Sequence, residues 1–136
     1  MIYLLDTNAC IAVLNDRHAP LTHRLREHRP DEIRLCSIVK AELLYGVHRS
    51  TRQAENLAHL VAFFDAFVSL PFDDSCADHY GRIRSALFGV GKPIGANDLL
   101  IAAIALRHEA ILVTHNVDEF SRVPGLAHED WMVPPT

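Results

Sequence analysis

The stretch Leu4-Leu5-Asp6-Thr7-Asn8 decides the fold of this chain. It ends a short apolar run that begins at Ile2, and such runs are typical of strands buried in a parallel sheet. Residues 8–14 then show a helical pattern. Asp6 is therefore predicted at the carboxyl end of a central strand, where open α/β sheets bind ligands. From this stretch alone an alternative stays open, since Asp6 or Asn8 could simply cap the next helix.

The rest of the chain repeats this alternation of short strands and helices. The strand patterns that follow lie at 32–36, 68–72 and 111–114, with a further edge strand predicted at 130–134. The helical patterns that follow lie at 21–25, 38–48 (with Ser37 as N-cap), 51–67, 74–88 and 96–106. Alternating strands and helices predict a three-layer α/β/α sandwich with a mainly parallel central sheet. With 136 residues, the chain is expected to form one domain over residues 1–136.

Composition argues against a membrane protein and a disulfide-rich secreted protein. No apolar run approaches the roughly 18 residues of a membrane span, and Asp6 interrupts the run that a signal peptide would need. Cys10, Cys36 and Cys76 are odd in number and lack CxxC spacing, which favours reduced thiols in a cytoplasmic protein. The net charge of -4 means that any nucleic-acid binding must come from a local basic patch. Candidate phosphate contacts for such a patch are Lys40, Arg49, Arg52, Lys92 and Arg122.

Acidic residues and one asparagine occupy positions that could form a site. Asp6 and Asn116 each follow a strand, Glu42 lies early in the helix after the second strand, and Asp98 lies in the first turn of the most apolar helix. Burying unpaired carboxylates is costly, and a divalent cation would hold a cluster of them together. Oxygen donors of this kind suit Mg²⁺ or Mn²⁺. Singly, Asp98 could instead favour its helix dipole, and Glu42 could be solvent-exposed.

Four segments occur in an order and spacing that resemble a known family. They are Leu4-Leu5-Asp6-Thr7-Asn8, Ala41-Glu42-Leu43-Leu44-Tyr45-Gly46, Ile94-Gly95-Ala96-Asn97-Asp98-Leu99-Leu100-Ile101-Ala102 and Leu112-Val113-Thr114-His115-Asn116. Together they resemble the PIN-domain ribonucleases and, within them, the VapC toxins of bacterial toxin–antitoxin pairs. The resemblance covers nearly the whole chain.

The resemblance implies a metal-dependent endoribonuclease that uses a metal-activated water. Asp6, Glu42, Asp98 and Asn116 match the positions of the family's catalytic residues, and Asp6 and Asp98 would be the Mg²⁺ ligands, with Mn²⁺ as a substitute. Many PIN domains carry an acid where this chain has Asn116, so the second metal depends on compensation by a nearby acid. The sequence offers two candidates for that role, Asp118 and Glu119.

The resemblance also implies a substrate and partners. The Thr-x-Asn pattern with Glu-Phe soon after resembles a VapC subgroup that cuts initiator tRNA in the anticodon loop. The implied partners are RNA, a VapB-type antitoxin bound along a groove near the site, and a second copy of the chain in a homodimer. His115 is a candidate substrate contact. Apolar residues that could serve the groove or the homodimer, or simply pack in the core, are Leu60, Phe63, Phe64 and Phe67.

Other functions compete with this interpretation. One is a PIN-fold protein that binds RNA or a partner without cutting it, and the asparagine at position 116 makes it plausible. Another is an aspartate-dependent phosphohydrolase, although those enzymes resemble Asp-x-Asp where this chain has Asp6-Thr7-Asn8. A receiver-type signalling domain would need additional acids before the first strand and a lysine after the last one, and neither is evident.

Overall fold

A computed structural model describes residues 1–16 and 18–133, and within them five strands form one all-parallel sheet. The strands are β1 (Tyr3–Leu5), β2 (Ile33–Cys36), β3 (Val68–Leu70), β4 (Ile111–Val113) and β5 (His128–Glu129). The helices are α1 (Thr7–Asn15), α2 (Ala19–Arg26), α3 (Ser37–His48), α4 (Gln53–Asp65), α5 (Asp74–Gly89), α6 (Ala96–Arg107) and α7 (Val117–Phe120), and a 3₁₀ turn spans Pro30–Glu32. The predicted α/β sandwich with a mainly parallel sheet is confirmed.

The strand order β3-β2-β1-β4-β5 locates the edge of the sheet that can bind a ligand. From β1 the chain crosses to β2 on one side, whereas from β4 it crosses to β5 on the other. Right-handed crossovers then bring α1–α4 to one face of the sheet and α5–α7 to the opposite face. In open α/β sheets with this kind of reversal, ligands bind in the crevice outside the carboxyl ends of the two central strands. Here those strands are β1 and β4, which lie side by side with Leu5 opposite Val113.

The core is built from β1, β4 and helix α6. Leu4, Leu5 and Leu112 are fully buried, and α6 is buried from Ile101 to Ala105. Small alanines in that helix let it pack between the sheet and α5. Because the centre of the sheet is covered on both faces, the neighbouring strands β1 and β4 form continuous apolar runs. The outer strands carry polar residues such as Arg34 in β2, Ser69 in β3 and Glu129 in β5.

The last strand differs from its prediction. It ends at Glu129 and does not run over 130–134; Pro134 lies outside the described residues. Asp130 Oδ1 accepts a hydrogen bond from the backbone N–H of Met132 at 2.9 Å, which turns the chain. Trp131 is then completely buried against the rings of Tyr3 and His28. Packing of the indole therefore takes precedence over strand pairing here.

The cap of α3, the three cysteines and the hydropathy of the helices bear on the remaining predictions from the sequence. Ser37 is the first residue of α3 and not its cap, because Cys36 occupies the N-cap position without a side-chain bond. Cys10, Cys36 and Cys76 are buried, and each has a free thiol. Of the described helices, none combines the length and the hydropathy required to span a membrane.

Candidate functional site

Asp6 lies at the carboxyl end of β1 and caps helix α1. Its Oδ1 accepts a hydrogen bond from the backbone N–H of Ala9 at 2.8 Å, so the capping role considered from the sequence is real. The carboxylate also accepts a hydrogen bond from Thr114 at the end of β4. Thr114 in turn is held by the backbone N–H of Asn116 at 2.9 Å. Asp6 is thereby fixed across the crevice between β1 and β4 with only 5% of its surface exposed.

The charge on Asp6 is poorly compensated. Burial raises its pKa, and the two hydrogen bonds only partly offset that effect. The carboxylates of Glu42 and Asp130 are near enough to raise the pKa further. A buried acid in such surroundings is typical of a functional site more than of a cap alone.

Asp98 and Glu119 form a second part of the site. Asp98 lies in the first turn of α6, and Glu119 reaches it from α7. Both carboxyl groups lie beside Gly95, where an added Cβ would be 3.5 Å from Asp98 Oδ2 and 3.7 Å from Glu119 Oε1. The backbone N–H of Gly95 also donates to Glu119 Oε1 at 2.7 Å. The backbone of Gly95 and the carboxyl groups of Asp98 and Glu119 therefore lie next to one another.

These two acids share a proton. Burial, the adjacent Glu119, and the more distant Asp6 and Glu42 raise the pKa of Asp98 to about 7. For Glu119, burial alone would raise the pKa, but hydrogen bonds from Asp98, Gly95 and Asn116 outweigh it and hold the pKa below its usual range. Asp98 is accordingly protonated at mildly acidic pH and about half protonated near pH 7, whereas Glu119 carries a charge.

Glu42 forms the third part of the site. It is half-buried on α3, and its Oε1 accepts a hydrogen bond from Thr7 Oγ1 at 3.0 Å. Its neighbour Tyr45 is 63% exposed, so the apolar residues around it do not bury the helix on all sides. Glu42 opens instead onto a groove of about 430 Å³ between α1, α3 and α4.

Asn116 does not replace the acid that many PIN domains have at this position; it contacts a nearby acid, Glu119. It is exposed at the N-cap of α7, and its Nδ2 donates to Glu119 Oε2. Asp118 is exposed on the same short helix, and Glu119 is the acid that contacts Asp98. The spacing of three residues between Asn116 and Glu119 allows their side chains to meet on one turn of helix, but it does not indicate which acid reaches Asp98.

Three of the basic residues expected around the rim contact aromatic rings or an acid of their own surface. Lys40 lies over the Phe64 ring, Arg49 lies over the Tyr45 ring, and Arg52 is 3.6 Å from Glu55. Arg122 lies near enough to Glu119 to lower the pKa of that acid. Of the aromatic residues considered for a groove, Phe63, Phe64 and Phe67 pack partly buried against the core, whereas Leu60 lines the groove.

The donor atoms suit a hard divalent cation. Asp6, Asp98, Glu119 and Glu42 offer only oxygen ligands, and burial followed by repulsion from the other three acids raises the pKa of Asp98. Within residues 1–16 and 18–133, no three acidic, histidine or cysteine side chains already converge on one ion position. Mg²⁺ commonly keeps several waters and takes only one or two protein carboxylates, so this open arrangement fits it.

Known proteins of the PIN-domain family are similar to this chain in sequence and in fold. The model of the PIN domain family matches residues 3–126. Ribonuclease VapC2 of Rickettsia felis is 39% identical over 96% of this chain and 98% of its own length. The tRNA(fMet)-specific endonuclease VapC of Shigella flexneri is 36% identical over 95% of this chain and 97% of its own. The crystal structure of VapBC2 from Rickettsia felis bound to a promoter DNA fragment contains a chain that superposes with a TM-score of 0.88 at 38% identity, over 96% of this chain and 99% of that one.

Proposed function

The chain belongs to the PIN-domain family and is a VapC-type ribonuclease of the toxin–antitoxin class, and on this premise we propose that it cleaves tRNA with Mg²⁺ held by Asp6 and Asp98. The observation that carries the proposal is the position of the Asp98 and Glu119 carboxyl groups, side by side at Gly95, together with the buried Asp6 at the end of β1. Asp6, Glu42 and Glu119 each lie near enough to Asp98 to repel its charge, and a divalent cation would relieve that repulsion. Mn²⁺ would substitute for Mg²⁺ because it accepts the same oxygen ligands.

Each residue of the site would have a separate role in binding the ion or in positioning another side chain. Asp6 and Asp98 would bind the ion, with Glu119 as a further oxygen donor in place of the acid that many PIN domains have at position 116. When bound, the ion would supply the polarisation of the phosphodiester and a lower pKa for the attacking water. Asn116 holds Glu119 by donating from Nδ2, and Thr114 holds Asp6.

Glu42 is suited to orient water or accept a proton. Thr7 donates a hydrogen bond to Glu42 Oε1 at 3.0 Å. This bond orients the carboxylate and leaves Oε2 available to a water molecule. Burial and Glu119 are the main causes of the raised pKa of Asp98, and Glu42 is near enough to add to it. Glu42 also opens onto the solvent-accessible groove. A half-buried carboxylate in this position can take up a proton from water and release it to solvent.

The proposed substrate is initiator tRNA, cut in its anticodon loop. The relative from Shigella flexneri that is described as specific for tRNA(fMet) is similar over nearly the full length of both chains, which supports this choice. An RNA loop with splayed bases can reach an open crevice of this kind more readily than a duplex can.

We also propose a VapB-type antitoxin as the partner in a hetero-oligomer. Solved VapBC complexes from Rickettsia felis support this partner. The groove beside Glu42 has exposed apolar walls at Ile11 and Leu14 and polar groups at Asn15 and His59. A partner segment with apolar anchors and a basic residue would match both the walls and the acidic end.

The first experiment tests cleavage and its dependence on metal. Protein freed of any co-purified antitoxin is incubated with total bacterial tRNA in Mg²⁺, in Mn²⁺ and in chelator. Asp6→Asn and Glu119→Gln are each expected to lower cleavage by at least roughly 100-fold. Asp118→Asn, an exposed acid beside Glu119, is the matched control and should cleave like the wild type.

The outcomes separate the competing functions. Discrete fragments that require metal, Asp6 and Glu119 support the nuclease, and their ends identify the bond that is cut. Binding of tRNA without cleavage by the folded, antitoxin-free protein favours the non-catalytic PIN-fold alternative. Release of phosphate from small phosphomonoesters, with tRNA left intact, would favour the aspartate-dependent phosphohydrolase.

A further inference from the structure

A histidine–carboxylate pair lies at the β5 side of the acidic site. His115 follows β4, Asp130 follows β5, and the distance from His115 Nδ1 to Asp130 Oδ2 is 2.8 Å. The His115 side chain is 62% exposed, whereas that of Asp130 is 15% exposed. Asp130 is itself fixed, because its Oδ1 accepts from the backbone N–H of Met132. An exposed imidazole is thus held in place by an anchored carboxylate.

The hydrogen bond defines which ring nitrogen is free. A carboxylate only accepts hydrogen bonds, so Nδ1 of His115 carries the hydrogen and donates to Asp130. Nε2 is then the nitrogen that can meet a ligand. An ion pair of this exposure contributes little to stability, and its structural effect is to orient the ring so that Nε2 faces away from Asp130.

The pair is close to the proposed cleavage site. His115 is adjacent in sequence to Asn116, which holds Glu119. The carboxylate of Asp130 is near enough to Asp6 to raise the pKa of that acid. Since β4 and β5 are parallel neighbours, both residues project from the same edge of the sheet as Asp6.

We propose that Nε2 of His115, oriented by Asp130, binds the ribose–phosphate backbone of the RNA beside the bond that is cut. This inference rests on the proposed ribonuclease function and adds a substrate-binding residue to it. Neutral His115 would accept a hydrogen bond from a ribose 2′-hydroxyl, and protonated His115 would donate one to a phosphate oxygen. Asp130 is a positioning residue that acts through the ring.

The test separates binding from the chemical step. Cleavage of an initiator-tRNA anticodon stem-loop is measured over a range of substrate concentrations, and its binding is measured in chelator by fluorescence anisotropy. His115→Ala is expected to raise Kd and KM roughly five- to tenfold, the effect of losing one hydrogen bond, with kcat changed less than about threefold. His115→Gln, which keeps a polar group near the position of Nε2, should recover part of the loss.

A matched pair elsewhere serves as the control. His23 and Glu27 form a similar contact of 3.1 Å on α2, with side chains 75% and 52% exposed. His23→Ala should leave Kd, KM and kcat unchanged. Comparison with a 2′-deoxy stem-loop separates the two backbone contacts: a loss confined to RNA identifies the hydroxyl, and an equal loss for both identifies the phosphate.

Asp130→Asn tests the positioning role. Its amide oxygen can still accept from Met132, so the turn is kept while the anchor of His115 is altered. At pH 8, ¹⁵N shifts of the wild-type ring should report Nδ1–H and a bare Nε2, and Asp130→Asn should change that tautomer and raise KM.

Failure of this inference is distinct from failure of the proposed function. If the wild type cleaves with metal and His115→Ala has wild-type Kd and KM, the inference is wrong and the nuclease stands. If the wild type neither binds nor cleaves the RNA, the function itself is wrong.

Discussion

At the scale of single residues, the acids of the site oppose folding when no cation is present. The pKa of Asp98 is raised to about 7, so the folded protein binds this proton more tightly than the unfolded chain does. The resulting stabilisation is complete below the ordinary pKa of about 4. It is lost as the pH rises through about 7.

Asp98→Asn is therefore expected to stabilise the metal-free protein at pH 8. Asparagine resembles the protonated acid, so the gain in unfolding free energy should be about 1–2 kcal/mol once solvent screening is discounted, and it should shrink at pH 5. Urea denaturation in chelator at both pH values measures it. Asp118→Asn is the control, and an Asp98→Asn variant less stable than the wild type at pH 8 would contradict the assignment.

Asn116→Asp tests the hydrogen bond to Glu119. The change replaces the Nδ2 donor with another carboxylate next to Glu119, so repulsion should lower Tm in chelator. Mn²⁺ should then raise Tm by more in the variant than in the wild type, because there is more negative charge to neutralise. An unchanged Tm in chelator, measured by thermal denaturation, would show that Asn116 does not hold Glu119.

At the scale of elements, Asp6 has two roles, as the N-cap of α1 and as a proposed metal ligand. Its Oδ1 caps α1 through Ala9, and the same carboxylate is the proposed metal ligand. The sequence left these two roles as alternatives, but the structure makes them compatible. A cap fixes the carboxylate at the crevice without taking up both of its oxygens.

Substitutions at Asp6 should therefore separate stability from cleavage. Asp6→Asn keeps an oxygen acceptor for the cap and Asp6→Ala does not, so Asp6→Ala should be less stable than Asp6→Asn by about 1 kcal/mol. Both should lose cleavage. Asp73, which caps α5 by accepting from Ser75 N–H at 3.0 Å, is the control: Asp73→Ala should lose similar stability and still cleave. Equal stability of the two Asp6 variants would refute the capping role.

At the scale of the whole molecule, the site and the groove share Glu42. The residue is hydrogen-bonded to Thr7 at one end of the crevice and lines the groove between α1, α3 and α4. A partner bound in the groove would consequently lie against the acidic site. Occupation of one can therefore block the other without any change of conformation.

Leu14→Asp should weaken the proposed antitoxin interaction. Leu14 is an apolar wall of the groove and is 36% exposed, so the change should raise the Kd for the cognate antitoxin at least roughly tenfold while cleavage by the free protein persists. Val90, 67% exposed and away from the groove, supplies the control Val90→Asp. Titration calorimetry measures both, and equal Kd values would show that the partner binds elsewhere.

The residues that follow the strands were predictable because strand ends are local features. Asp6 and Asn116 come after β1 and β4 as their motifs indicated, and Asp98 and Glu42 lie on the helices expected for them. The position of the last strand was not predictable, because Trp131 is buried against Tyr3 and His28 from distant parts of the chain. Nor did the sequence choose between Asp118 and Glu119.

The sequence by itself determined the alternation of strands and helices, the parallel sheet, and the acids that follow β1 and begin α6. Those features depend on the spacing of apolar residues and on short-range turns. Only the tertiary structure decided that Glu119 shares a proton with Asp98, that Asp130 anchors His115, and that Glu42 links the site to a groove. These contacts join residues separated by 15 or more positions, such as His115 and Asp130, and they exist only because the crossovers bring separate carboxyl ends of strands to one edge of the sheet.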